Sequence, residues 1–104
     1  MGRASRDKGN RGEGELVAIL KAHGYHAERR GVGYDGDDLR VREWPTWYIE
    51  SRRRETLCIP AWMREIQEKA KARDCDTAVL FFRRSREEWN VCLSLQHFLK
   101  LMER

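Results

Sequence analysis

The sequence is poor in the residues that staple or anchor a chain. Its three cysteines, Cys58, Cys75 and Cys92, are an odd number at wide, unequal spacing, which excludes a disulfide framework and fits no zinc pattern. They read as small apolar fillers of a reduced protein. His23, His26 and His97 also lack metal-ligand spacing and read as surface or packing residues. No apolar run approaches the ~18 residues of a membrane span, and the opening MGRASRDKGNRGEGE has no hydrophobic region of a signal peptide. The expectation is a soluble cytoplasmic protein that does not engage membranes. A glycine-punctuated stretch at 31–36 is not a nucleotide-binding loop, because the Lys-Ser/Thr pair and the following helix are missing. There is no internal repeat.

Charge is abundant. Lys and Arg number 21 and Asp and Glu 17, a net +4, and charged residues make up 37 % of the 104, well above the usual ~25 %. At that length the chain has room for one small core under a densely ionic surface. The cations are clustered. Arg3, Arg6, Lys8 and Arg11 face Asp7 alone within residues 1–12, and further groups are Arg29 with Arg30, Arg52 with Arg53 and Arg54, and Arg83 with Arg84 and Arg86. Guanidinium forks in clusters favour phosphate, by paired hydrogen bonds and counterion release. The plain alternative is a solvated ionic surface.

Residues 1–9 read as a flexible basic arm ahead of a single domain at 10–104. A helix is expected over 10–23, stopped by Gly24, with Leu16, Val17, Ile19 and Leu20 as its apolar stripe. Glu13 lies one turn before Val17, so its carboxylate projects near that stripe. That placement suits a metal or substrate role, or a charge complementing the helix N-terminus. Short strands follow at 25–30, 38–42 and 47–53. Alternation puts Leu39 and Val41 on one face and Asp38, Arg40 and Arg42 on the other; Trp47 and Ile49 likewise oppose Tyr48, Glu50 and Arg52. Pro60 opens a helix to about 73 with Trp62, Ile66 and Ala70 on one stripe, and Gln67 beside Met63 and Ala70 on the next. Residues 77–82 form an apolar strand covered on both faces. A strand at 89–93 points Trp89, Val91 and Leu93 inward. Ser94 caps a last helix whose Leu95, Phe98, Leu99 and Met102 form a core stripe. The order α-β-β-β-α-β-β-α is a mixed α/β domain, a central sheet flanked by helices.

Asp38 on one strand, with Glu50 and Arg52 two residues apart on the next, can converge at one place on a sheet. Two carboxylates would hold Mg²⁺, a hard ion that prefers oxygen. The ion acidifies a water and neutralises charge developing on phosphate, and a neighbouring cation steadies the same charge. The plain alternative for Glu50 and Arg52 is an exposed ion pair on an edge strand.

With those residues in place the chain resembles the PD-(D/E)xK nucleases, and among them the archaeal-type Holliday junction resolvases and their phage relatives. The likeness runs from about residue 8 to 102. It is carried by Lys8-Gly9 followed by Glu13-Gly-Glu15-Leu-Val, by Gly24-Tyr25, by Arg29-Arg-Gly-Val-Gly33, by Asp38-Leu39, by Ile49-Glu50-Ser-Arg52 and by the tail RRSREEWNVCLSLQHFLKL. The resemblance implies a restriction-endonuclease-like fold and a homodimeric endonuclease that nicks four-way DNA junctions symmetrically, using Mg²⁺ with Mn²⁺ able to substitute. It places Glu13, Asp38 and Glu50 around the metal, Arg52 where the family has a catalytic lysine, and Gln67 as a helix glutamine lining the site. The chain departs from the pattern at three points. Asp37 precedes Asp38 where the family has proline, with alternation favouring Asp38 as the ligand. Val32 replaces a serine, and Arg52, which stays charged, cannot act as a base. A junction-binding module without cleavage, and a nuclease of the same fold acting on other branched or duplex DNA, are the competing readings.

Overall fold

The computed structural model describes the backbone of residues 2–31 and 33–103, with side chains from residue 12 onward. Residues 2–9, expected as an arm ahead of the first helix, are instead its opening turns; the side chains of Arg3, Arg6, Lys8 and Arg11, and Val32, lie outside what is described. Three helices and five strands follow the order expected: α1 (Gly2–Ala22), β1 (Ala27–Arg29), β2 (Leu39–Val41), β3 (Trp47–Arg53), α2 (Ile59–Ala72), β4 (Thr77–Arg83), β5 (Asn90–Cys92) and α3 (Leu95–Met102). The five strands form one mixed sheet in sequence order. β3 and β4 are parallel over their whole length, from Trp47 opposite Thr77 to Arg53 opposite Arg83, and the other neighbours are antiparallel. Parallel neighbours need a crossover, and α2 supplies it.

Sequence chemistry explains where α1 stops. Gly24 takes φ +91, a conformation that glycine adopts without strain. The amides of Gly24 and Tyr25 then donate to the carbonyls of Lys21 and Leu20, closing the helix as a Schellman motif. The alternation read along β2 and β3 sorts their side chains between two cores. Leu39, Val41 and Ile49 pack with Leu16 and Leu20 of α1, while Tyr48 packs with Met63, Ile66 and Ala70 of α2 and with Leu80 of β4. Burying each large apolar side chain contributes about 1.5–3 kcal/mol, so these faces are firmly registered.

Three packing expectations are corrected. Ile19 is exposed, because it lies off the stripe of Leu16 and Leu20. Val91 of β5 points to solvent, since β5 is an edge strand. Most consequentially, α3 buries none of its residues. Ser94 does cap it, accepting from the His97 amide at 3.1 Å. Yet Leu95, Phe98, Leu99 and Met102 are all exposed, Leu95 at 71 %. The cysteines are free, and Cys58, at the start of α2, is exposed rather than a filler. Among the described residues no helix is long and apolar enough to cross a membrane.

Candidate active site

β2 and β3 pair through Leu39 and Ile49 and then diverge. The edge amides of β3 that lack a strand partner are taken up by two aspartates. The Ile49 amide donates to Asp37 Oδ2 at 2.8 Å, and the Ser51 amide and hydroxyl donate to Asp38 Oδ2 at 2.9 and 3.3 Å. Asp37 is filled on its other oxygen as well, by Arg30 Nε at 3.1 Å, and is buried. It is a structural clamp. Asp38 takes its Ser51 bonds on one oxygen. Burial pushes its carboxyl above the ordinary range, against the opposing pull of the Ser51 amide and the Arg52 charge.

Glu50 lies on the middle strand of the sheet and is 4 % exposed. This corrects the alternative of an exposed edge-strand ion pair. Burial, reinforced by the negative charge of Asp38, pushes Glu50 up to about 7, with Arg52 and Lys69 partly offsetting. Arg52 Nη1 stands 3.1 Å from Glu50 Oε2, but no N–H is aligned with it, and Oε2 makes no hydrogen bond. Buried polar atoms are nearly always bonded, so this oxygen stands apart from most of its kind. The Arg52 guanidinium lies 5.9 Å from the centre of the Trp62 ring on α2. Glu65 and Lys69, paired at 2.9 Å on the same helix, also act electrostatically on Glu50.

Glu13, on α1, interacts with Asp38. Burial raises its carboxyl first and Asp38 second, while Arg29, whose Nε lies 3.2 Å from Oε2, pulls it down. Asp38 thus couples to carboxylates on either side of it. Among the described residues no three acids, histidines or cysteines are drawn close enough to form a ready-made metal cluster.

Several expected site residues stand elsewhere. Gln67 is exposed and lines a groove with Cys75, Asp76 and His97. At 100° per residue it lies about 200° around α2 from Glu65, so the helix face toward Glu50 is that of Trp62, Glu65 and Lys69. Their i, i+3, i+7 spacing was the available signal. Arg53 and Arg83 are not free cations. Both bind Glu15 of α1, Arg53 through Nη1 at 3.2 Å and Arg83 through Nε and Nη2 at 3.1 Å, and Trp89 Nε1 adds a fourth donor at 3.1 Å. Arg29 and Arg30 are engaged by Glu13 and Asp37. Arg54 and Arg84 remain exposed, Arg84 beside Glu87.

No protein-family model matches the chain, and no curated protein matches it by sequence. A solved structure does match: Hjc, a Holliday junction resolvase from the archaeal hyperthermophile Archaeoglobus fulgidus, with a TM-score of 0.60 and 22 % identity over 83 % of this chain and 72 % of that one. The fold is that of the archaeal resolvase. The mixed sheet and flanking helices that the resemblance implied are borne out. The chemistry belongs to this chain's own residues.

Proposed function

We propose that this chain is a metal-dependent endonuclease that nicks four-way DNA junctions. The observation that carries the reading is the coupled set Glu13, Asp38 and Glu50, with Glu50 Oε2 buried and lacking a hydrogen bond, on a resolvase fold. Those residues fit a divalent cation. They offer desolvated carboxylate oxygens, the donors that Mg²⁺ prefers and Mn²⁺ accepts, and Glu13, Asp38 and Glu50 are the residues that would hold it. When bound, such an ion acidifies a water and offsets charge on the phosphate. Around it Ser51 fixes the Asp38 carboxylate, and Arg52 presents a permanent charge to the phosphate without taking a proton. Arg54 and Arg84, with Arg3, Arg6, Lys8 and Arg11 toward the N-terminus, supply cations for the DNA backbone.

The active species is a two-fold homodimer. Symmetric nicking needs two sites at fixed separation. The apolar face of α3, with the exposed Val91, is the surface that pairing would cover. Phe98→Asp should convert a sedimenting dimer to monomer; an unchanged dimer would place the interface elsewhere. The function itself is tested with labelled four-way junction and linear duplex, each with Mg²⁺ and with chelator. Junction cut in paired nicks with Mg²⁺ alone is the expected result. Cutting that ignores chelator refutes the reading. Tight junction binding without cutting would favour a binding module.

A further inference from the structure

Beyond the carboxylates, β2 carries Arg40 and the turn after it carries Arg42, two arginines that take no part in the proposed site. Leu39 and Val41 face α1, so Arg40 between them points to the opposite face. Arg40 is two residues beyond Asp38 and Arg42 two further on. Together with Arg30 they line a cavity of about 370 Å³ walled by Trp44 and Trp47, and no carboxylate lines it. The walls are firm. The two indoles stack at 4.5 Å, and the turn between β2 and β3 is pinned by Glu43, which accepts from the His26 amide at 2.9 Å and meets His26 Nδ1 at 2.6 Å.

The three guanidiniums are unequally occupied. Arg30 holds Asp37 through Nε. Arg40 approaches Glu28 at 3.7 Å, with both side chains 64 % exposed, a contact of little energetic weight. Arg42 has no ion-pair partner among the described residues, while its amide is fixed on the His26 carbonyl at 3.0 Å. Three cations around one cavity that no carboxylate lines suit a polyanion. We propose that Arg40 and Arg42, with Arg30 at the near end, form a rail for the phosphodiester strand that leaves the Asp38–Glu50 site. The inference rests on the nuclease reading and names the part of the molecule that follows the DNA away from the cut.

The test uses the full chain, chelator and a fluorescent four-way junction, with affinity measured from 50 to 200 mM salt. Each phosphate contact contributes about 0.9 to the slope of log K against log salt. Arg40→Ala/Arg42→Ala should weaken binding at least tenfold at the low-salt end and lower the slope by about 2, at unchanged melting temperature. Arg40→Lys/Arg42→Lys should restore the slope, because charge is what the slope counts. Unchanged affinity and slope, with wild-type protein still binding and cutting the junction, overturn the rail and leave the nuclease standing. Weaker binding at an unaltered slope overturns it equally. Wild-type protein that neither binds nor cuts overturns both.

Discussion

Two glutamates on opposite sides of the sheet meet arginines in opposite ways. Glu15, on α1, receives four aligned donors from Arg53, Arg83 and Trp89. Burial works to raise its pKa, but the bonds from Arg83 and Trp89 and the charges of Arg83 and Arg53 outweigh it, and the group ends below the ordinary range. Glu50, more deeply covered, has one arginine nearby with no aligned N–H and is pushed up to about 7. The first carboxylate is saturated and ties α1 to β3, β4 and the residue before β5. The second is left short of donors beside another acid, at a cost to the fold. The unbonded oxygen of Glu50 is the feature on which the proposed metal role rests. Clustering of raised carboxyl pKa values in one place is the ordinary mark of a working site.

The largest effect is expected at Glu50. Glu50→Ala should reduce junction cutting on the order of a thousandfold, about 4 kcal/mol of barrier, while junction affinity in chelator holds or rises as negative charge is removed. Undiminished cutting in a gel assay would move the site elsewhere. At the structural end, Glu15→Ala should cost about 2–4 kcal/mol in chemical denaturation, because it strands the mostly covered Arg83, 11 % exposed, and its neighbour Arg53. Loss below 0.5 kcal/mol would show that the Glu15 network is ornamental.

A third prediction concerns pH. Folded Glu50 holds its proton more tightly than unfolded Glu50, so the folded state binds more protons between about 4.5 and about 7. Stability of the metal-free protein should therefore fall as pH rises through that window and level off above it, by up to about 3 kcal/mol. Asp38 and Glu13, also raised, contribute with the same sign. Glu50→Gln should flatten the profile and be the more stable protein at pH 8 in chelator. A profile unchanged by Glu50→Gln in urea titrations across pH 5–8 would contradict the burial of an ionisable group. The smallest effect is at Arg52. Arg52→Lys keeps the charge and should hold cutting within about tenfold of wild type, whereas Arg52→Ala should lose more. Equal loss in both would assign a specific contact to the arginine fork.

Much of this was legible in the sequence, and its limits are physical. Strand alternation located β3 at 47–53 and put Glu50 and Arg52 together opposite Ile49, because side-chain period in a strand is fixed. It favoured Asp38 over Asp37. In the structure Asp37 is taken up by the Ile49 amide and Arg30. The α3 stripe was read correctly as apolar and wrongly as core, since periodicity reports an apolar face and not what covers it. Arg53 and Arg83 looked like free cations because their partner, Glu15, is 38 and 68 residues away. Gln67 was drawn in by resemblance, and helix geometry places it on another face.

The claim at the centre of the account, that Glu50 is kept short of donors to serve a divalent cation, is tested most directly by thermal unfolding of wild type and Glu50→Gln at pH 7.5 with increasing Mg²⁺ or Mn²⁺. A ligand that binds the folded state raises its stability in proportion to the logarithm of its concentration. Wild type should show a rising melting temperature and Glu50→Gln a flat one, with the variant the more stable of the two in chelator. Equal shifts in both proteins, or none in wild type, would contradict it.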